Sequence, residues 1–392
     1  MKFILSILAI CFLLAIATAR AELLYPITYD GSRSTFQALS ETQKKAHPTA
    51  EIGSYKVDSK SDQDLTTDYF YIPATSTADK LIIVTSGVHG VECFTGAALQ
   101  FMLLEQVIPQ MNFEHTGILL IHALNPYGFK YLRRVTESNV DLNRSLFLDR
   151  KNVKLSNPSY ADFDSFLNPK EKLRTSLYDR TSHVVRTMLR LLFHSMGEFR
   201  QTILQGQYQY PNGLFYGGSE NEPQETPFRE VLLKYATPYR TILYVDLHTG
   251  YGKKGVLHFL APKFADPKVA QAVAPLYQGF SIDNNSDKDF YDPMGETVDY
   301  VPEVLKDHLV IPMTFEFGTM DSQTTMGAME SLRRLIRENQ GRHFGYSSQY
   351  DADVATREFL SMFNPEDKEW RLKVVNETLA VFTTLFSRLN AL

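Results

Sequence analysis

Four unbroken apolar runs restrict this chain more than anything else in it: residues 81–86 (LIIVTS), 118–122 (ILLIH), 241–246 (TILYVD) and 310–317 (VIPMTFEF). None alternates polar with apolar, so each reads as a strand covered on both faces. Covered strands need helices above and below, and the sequence supplies them. After the first run, Phe94, Ala97, Ala98, Phe101, Met102 and Leu103 recur at helical spacing. The second run stops at the turn sequence Asn125-Pro126-Tyr127-Gly128. Strands separated by helical stretches predict an α/β protein with a mainly parallel sheet.

That rhythm lapses twice. Residues 22–65 are polar and show no strong period. Between Arg150 and Gly206 the strands stop, and Val184, Val185, Met188, Leu189, Leu192 and Phe193 fall at helical spacing. This predicts a core-facing amphipathic helix rather than a cofactor or membrane helix. Residues 151–205 are expected to form a helical insertion in a single domain spanning residues 20–392. From Glu369 onward, Trp370, Val374, Val375, Leu379, Phe382 and Phe386 predict a closing helix packed on the sheet.

The N-terminus reads differently. Met1-Lys2 is followed by an apolar stretch from Phe3 to Ile16 and then by Ala17-Thr18-Ala19, the order of a secretory signal peptide over residues 1–19. Ala19-Arg20-Ala21 offers a second cleavage point, and an uncleaved anchor or a buried helix is the alternative. The expectation is a secreted or periplasmic protein with no stable membrane association after cleavage. Cys11 falls in this segment and leaves Cys93 alone, so neither an intrachain disulfide nor a cysteine zinc knuckle is expected. Forty basic against 45 acidic side chains give a net charge of −5, a balance that disfavours nucleic acid as a partner.

Chemistry collects just past the strands. His89 and Glu92 follow the first run, His248 lies in DLHTG after the third, and Glu316 lies in FEFGT at the end of the fourth. Open α/β sheets bind ligands in the crevice at those ends. Two histidines and a carboxylate suit a catalytic zinc with one position left open. Glu316 is then a spare carboxylate able to take a proton from water. Each residue has a plainer reading, as a hydrogen-bonded structural histidine or as a glutamate that caps a helix or pairs with an arginine. Spacing alone leaves both open. His122, His258 and His308 lack a ligand-spaced partner and read as structural or exposed.

Five motifs, TSGVHGVECFTG, NPYGF, VDLNRS, DLHTG and FEFGT, stand in that order between residues 80 and 320. Together they resemble the zinc carboxypeptidase superfamily. The similarity is greatest to its branch of succinylglutamate desuccinylase and aspartoacylase and, within that, to a poorly characterised hydrolase-like group. GQYQYPNGLFYGG, residues 206–218, resembles the same group. The resemblance implies a three-layer α/β/α fold of the carboxypeptidase-like, phosphorylase/hydrolase-like kind, with a mostly parallel mixed central sheet.

It also implies one zinc ion per chain, held by His89, Glu92 and His248, with Glu316 as general base and Asp141 orienting the first zinc histidine. Asn143 and Arg144 match the pair that grips a substrate carboxylate. Arg134, or less readily its neighbour Arg133, matches the arginine at the oxyanion. Tyr291 or Tyr300 could supply a further acid, without a secure motif match. Cys93 stands where glycine is common and reads as a small buried side chain. Nickel or cobalt would bind the same ligands.

The function so implied is a zinc metallohydrolase cleaving a peptide or amide bond near a substrate carboxylate, in a peptide or an N-acyl amino-acid-like substrate. A zinc deacylase of an N-acyl small molecule is the alternative among enzymes. A catalytically silent extracellular binding protein is the alternative outside them, and Glu316 beside all three ligands speaks against it. The absence of a GxSxG elbow speaks against a serine esterase.

Overall fold

The four apolar runs become the middle of one eight-stranded sheet in a computed structural model, which describes residues 22–191, 196–264, 266–284 and 293–391. The expected signal segment, Leu192, Phe193 and Tyr291 lie outside the described residues. The strands are β1 (Glu51–Lys56), β2 (Thr66–Ile72), β3 (Lys80–Ser86), β4 (Thr116–His122), β5 (Thr241–Gly250), β6 (Leu257–Ala261), β7 (Ile282–Asn284) and β8 (Leu309–Gly318). Their order across the sheet is β1-β2-β4-β3-β5-β8-β6-β7.

The central four, β4, β3, β5 and β8, run parallel. Antiparallel pairings add β2 and β1 at one edge and β6 at the other, with β7 parallel to β6. Every residue of β3 and β4 is buried, which is why their sequences do not alternate.

Helices Tyr29–Ala46, Cys93–Met102, Pro267–Leu276 and Lys368–Ala391 cover one face. Glu225–Ala236 and Thr297–Val304 cover the other. This is the expected three-layer α/β/α arrangement around a mixed, centrally parallel sheet. The stretch Gly90–Gln110 is long and apolar enough to cross a membrane, yet 89% of its most apolar window is buried in this core.

Helix Tyr29–Ala46 has no counterpart in the sequence reading, and its buried face explains why. Tyr29, Ser32, Phe36, Ser40 and Gln43 point inward, so polar residues occupy positions where periodicity would look for apolar ones. Two of them are satisfied inside. Gln43 Nε2 donates to the carbonyl of Leu104 (2.8 Å), and Ser32 Oγ lies 3.1 Å from His122 Nε2. His122 Nδ1 faces the Gln100 carbonyl oxygen at 3.0 Å and must carry the proton, so Nε2 accepts from Ser32.

Between Arg150 and Gly206 the described chain forms helices Asp164–Leu167, Leu177–Leu191 and Met196–Leu204. Phe163, Phe166, Phe199 and Ile203 pack there with Phe215, Leu332 and Ile336. The expectation of a core-facing apolar stripe on Leu177–Leu191 is overturned. Val185, Met188 and Leu189 are 51%, 42% and 53% exposed. His183 decides which side turns inward: its ring stacks on Phe166 at 5.3 Å and its Nε2 lies 3.2 Å from the Met329 carbonyl. Buried Thr187 lies one turn further along.

Candidate metal centre

Parallel pairing of β3, β5 and β8 brings their C-terminal ends to one edge, with His248 directly beside Glu316 in the register. His89 and Glu92 come from the tight turn that links β3 to helix Cys93–Met102. That turn lies against the loop after β4. A Cβ on Gly90 would stand 2.1 Å from the carbonyl carbon of Gly128, so only glycine fits. Backbone N–H groups of Gly90 and Val91 donate to the carbonyls of Arg134 and Arg133, fastening the two loops together.

His89, Glu92 and His248 are buried, and one ligand atom from each falls within 4.8 Å of the others. His89 Nδ1 lies 2.8 Å from Glu92 Oε1, and His248 Nδ1 lies 3.1 Å from Glu92 Oε2. The far nitrogens are both backed by acids: His89 Nε2 by Asp141 Oδ1 at 3.1 Å and His248 Nε2 by Asp246 Oδ2 at 2.9 Å. An acid at Nε2 keeps the proton there and leaves the Nδ1 lone pair for a cation.

His89 Nδ1 is buried and faces the Glu92 carboxylate oxygen at 2.8 Å, so with the proton held on Nε2 two acceptors point at one another. Acceptors that crowd together in this way, with a second histidine nitrogen beside them, are what a metal ion would satisfy. Two nitrogens and a carboxylate oxygen suit zinc.

Asp246 was not singled out from the sequence. It precedes His248 by two on the same strand, hence on the same face, and Thr85 Oγ1 (2.7 Å) and Thr297 Oγ1 (2.5 Å) donate to it. The Asp-x-His spacing on a strand was the available signal.

The charges are mutually arranged. Burial would push Glu92 up, but His89 and His248 outweigh it and hold its carboxyl well below the usual range. Burial would likewise lower His248, yet Asp246 and Glu92 raise it well above the ordinary histidine value. Glu316 is pushed up to about 8, first by burial and then by the Glu92 carboxylate, although Tyr251 N–H donates to it at 2.8 Å.

A cavity of about 250 Å³ opens over this cluster, lined by His89, Glu92, His248, Glu316, Arg134, Asn143, Arg144 and Glu296. Its remaining wall is mostly apolar, from Phe199, Ile203 and Leu204 of the inserted helices, Phe215, and Met329 and Leu332 of helix Thr325–Phe344, with Arg200, Lys263 and Asp299 also on it. Arg134 is tied to Asp141 Oδ2 and lies over the Phe215 ring, 5.2 Å from its centroid.

Arg133, also expected at the substrate, belongs elsewhere. It is buried, donates to Glu338 (2.9 Å) and Asn139 (3.2 Å), and is not part of the cavity. Tyr300 is buried outside the cavity too, with its hydroxyl donating to Glu225. Cys93 is buried and unreactive in setting, its thiol pushed up to about 12 by burial.

Asn143 and Arg144 do line the cavity, and each meets Glu296. Arg144 Nη1 donates to Glu296 Oε1 at 3.1 Å and Asn143 Nδ2 to the same oxygen at 3.3 Å. Burial pushes Glu296 up to about 7 in spite of Arg144. Nothing in the sequence pattern singles out Glu296, which stands 152 positions from Arg144.

The chain is similar to several solved structures at low identity. Bovine thrombin-activatable fibrinolysis inhibitor, in complex with tick carboxypeptidase inhibitor, is 11% identical over 86% of this chain and 97% of that one, with a TM-score of 0.47. Carboxypeptidase A from Helicoverpa armigera is 12% identical over 85% and 73%, with a TM-score of 0.45. A succinylglutamate desuccinylase from Silicibacter sp. TM1040 is 15% identical over 76% and 67%, with a TM-score of 0.36. No curated protein sequence matches the chain. Residues 25–377 match the family model described as "Protein of unknown function (DUF2817)", and the chain belongs to that family.

Proposed function

We propose that the chain is a zinc-dependent metallohydrolase that cleaves a peptide or other amide bond, with Glu316 as general base. One observation carries this reading. His89 Nδ1, His248 Nδ1 and the Glu92 carboxylate converge in a buried site, with an acid behind each histidine and Glu316 on the adjoining strand. Three buried acceptor groups converging on one point, each histidine backed by its own acid, fit a cation better than a purely structural cluster.

His89, Glu92 and His248 would hold the ion, which when bound polarises a carbonyl and lowers the pKa of water. The chain's own groups do the rest. Glu316 takes the proton of the attacking water and returns it to the departing nitrogen. Glu316 is raised first by burial and then by the Glu92 carboxylate, so neutralising Glu92 with a bound ion would move it towards the range of a base at neutral pH. Arg134, anchored by Asp141, offers positive charge where the carbonyl oxygen becomes negative. The mostly apolar wall suits a bulky apolar group. An acyl chain would fill it as well as a side chain, which supports N-acyl small molecules as the second substrate class.

The test is metal content of the purified protein beside His248→Ala and Glu316→Gln. About one zinc per chain is expected in the wild type and in Glu316→Gln, and none in His248→Ala. On a panel of peptides and N-acyl amino acids, Glu316→Gln should lose about 10²-fold or more in rate. Well-folded wild-type protein that takes up no zinc on reconstitution would sink the reading.

A further inference from the structure

Arg144 is only 2% exposed, and its guanidinium is engaged by the protein itself. Nε donates to the Leu204 carbonyl at 2.7 Å, and Nη1 to the Asn143 carbonyl at 2.6 Å and to Glu296 at 3.1 Å. Asn143 turns its amide to the same Glu296 oxygen. The two side chains expected to receive a substrate carboxylate therefore already face a carboxylate of this chain.

Glu296 is not there by a chance swing of its side chain. Gly295 has φ +73°, and a Cβ on it would fall 2.7 Å from Phe147 and 2.9 Å from the Arg144 backbone. Leu146 N–H donates to the Gly295 carbonyl (3.2 Å), and Thr297 N–H donates to Asn143 Oδ1 (2.9 Å). Backbone contacts on both sides of Glu296 thus clamp it against the Asn143-Arg144 segment.

We propose, building on the hydrolase reading above, that Glu296 is a specificity-determining residue: its carboxylate answers Arg144 and Asn143 from within, so the site prefers substrates with a neutral carbonyl group there over substrates with a free carboxylate. Carboxamides, esters and internal peptide bonds belong to the preferred class. A second anion beside Glu296 would be repelled at close range: Arg144 is already matched by Glu296, and Asp299 and Asp141 add negative charge around it against His248. A neutral carbonyl can accept from Asn143 or Arg144 without adding charge. The largely apolar wall of the cavity suits such a substrate.

The experiment uses the zinc-loaded full chain at about pH 8.5, where Glu296 is ionised. Two matched probes are compared, N-benzoylglycylphenylalanine and its C-terminal carboxamide. Wild type should favour the carboxamide by about tenfold or more in kcat/KM. Glu296→Gln keeps the hydrogen-bonding shape without the charge and should reverse the preference, chiefly through KM. Glu296→Asp keeps the charge and should keep the preference. A wild-type preference for the free acid, or an unchanged ratio in Glu296→Gln, overturns the proposal.

Calorimetric binding of both probes to zinc-loaded Glu316→Gln separates this inference from the hydrolase reading. If wild type hydrolyses neither probe but the carboxamide binds more tightly, the specificity stands by itself, and the hydrolase reading is decided by the zinc content described above. Tighter binding of the acid, or no binding of either, overturns the specificity. Thermal unfolding checks that Glu296→Gln is folded; if it is not, the wild-type and Glu296→Asp ratios decide.

Discussion

Asp141 and Asp246 do the same work for different histidines, and each is fully buried. Replacing either with Asn keeps an acceptor but removes the charge that fixes the tautomer. Zinc affinity should fall by about 10–100-fold in Asp141→Asn and Asp246→Asn, measured by chelator competition. Undiminished affinity in Asp246→Asn would mean that His248 is oriented by something else. The candidate ligands His89, Glu92 and His248 were legible in the sequence because metal chemistry admits few residue types and the strand ends announce where to look. Asp246 was legible only in part, through its spacing from His248. Glu296 was not legible at all, because its meaning depends on a loop that returns to Arg144 from far along the chain. Arg133 and Arg134 are neighbours in sequence, and only the path of the backbone sends one to Glu338 and the other to Asp141.

Among the elements, the strands that matter most were also the plainest to read. Burial on both faces removes alternation and leaves an apolar run, as in β3 and β4. Helix Tyr29–Ala46 hid because its inward face is partly polar, and helix Leu177–Leu191 misled because Val185, Met188 and Leu189 face solvent. The second case can be checked directly. Leu189→Ser should change stability by less than about 0.5 kcal/mol, as a surface substitution does, in denaturant unfolding. Gly90→Ala should behave in the opposite way. Its new methyl meets the Gly128 backbone, which cannot move aside cheaply, and the expected loss is about 1–3 kcal/mol or more. Zinc occupancy should fall with it, since the same turn carries His89 and Glu92.

For the whole molecule, the buried histidines and the buried carboxylates pull in opposite directions. Raised Glu316 and Glu296 cost stability as pH rises from about 4.5, and His122 and His183 cost it as pH falls. His122 is fully buried, and burial lowers it from 6.5 to about 4 in the folded protein. Between those values His122 binds a proton in the unfolded chain but not in the folded one, so its contribution to stability declines as pH falls through that window. The contribution at stake is about 3 kcal/mol at most. Half-buried His183, also lowered to about 4 by burial, steepens the same decline. His122→Gln should cost stability at neutral pH, since it disturbs the bonds to Ser32 and Gln100, yet flatten the acid slope in unfolding curves taken at several pH values. An unchanged slope would place the acid sensitivity elsewhere.

The site's dependence on strand pairing has a consequence for how the protein comes into being. The Thr249 N–H that steadies Glu92 reaches across 157 positions of sequence, and His248 meets Glu316 only once β5 and β8 lie side by side. Contacts of such range form late, after the entropy of closing long loops has been overcome. A nascent chain that has made only β3 and its following helix holds His89 and Glu92 but not their distant partner. Capture of the ion would therefore mark the end of folding rather than its start, and chains that stall on the way would remain metal-free.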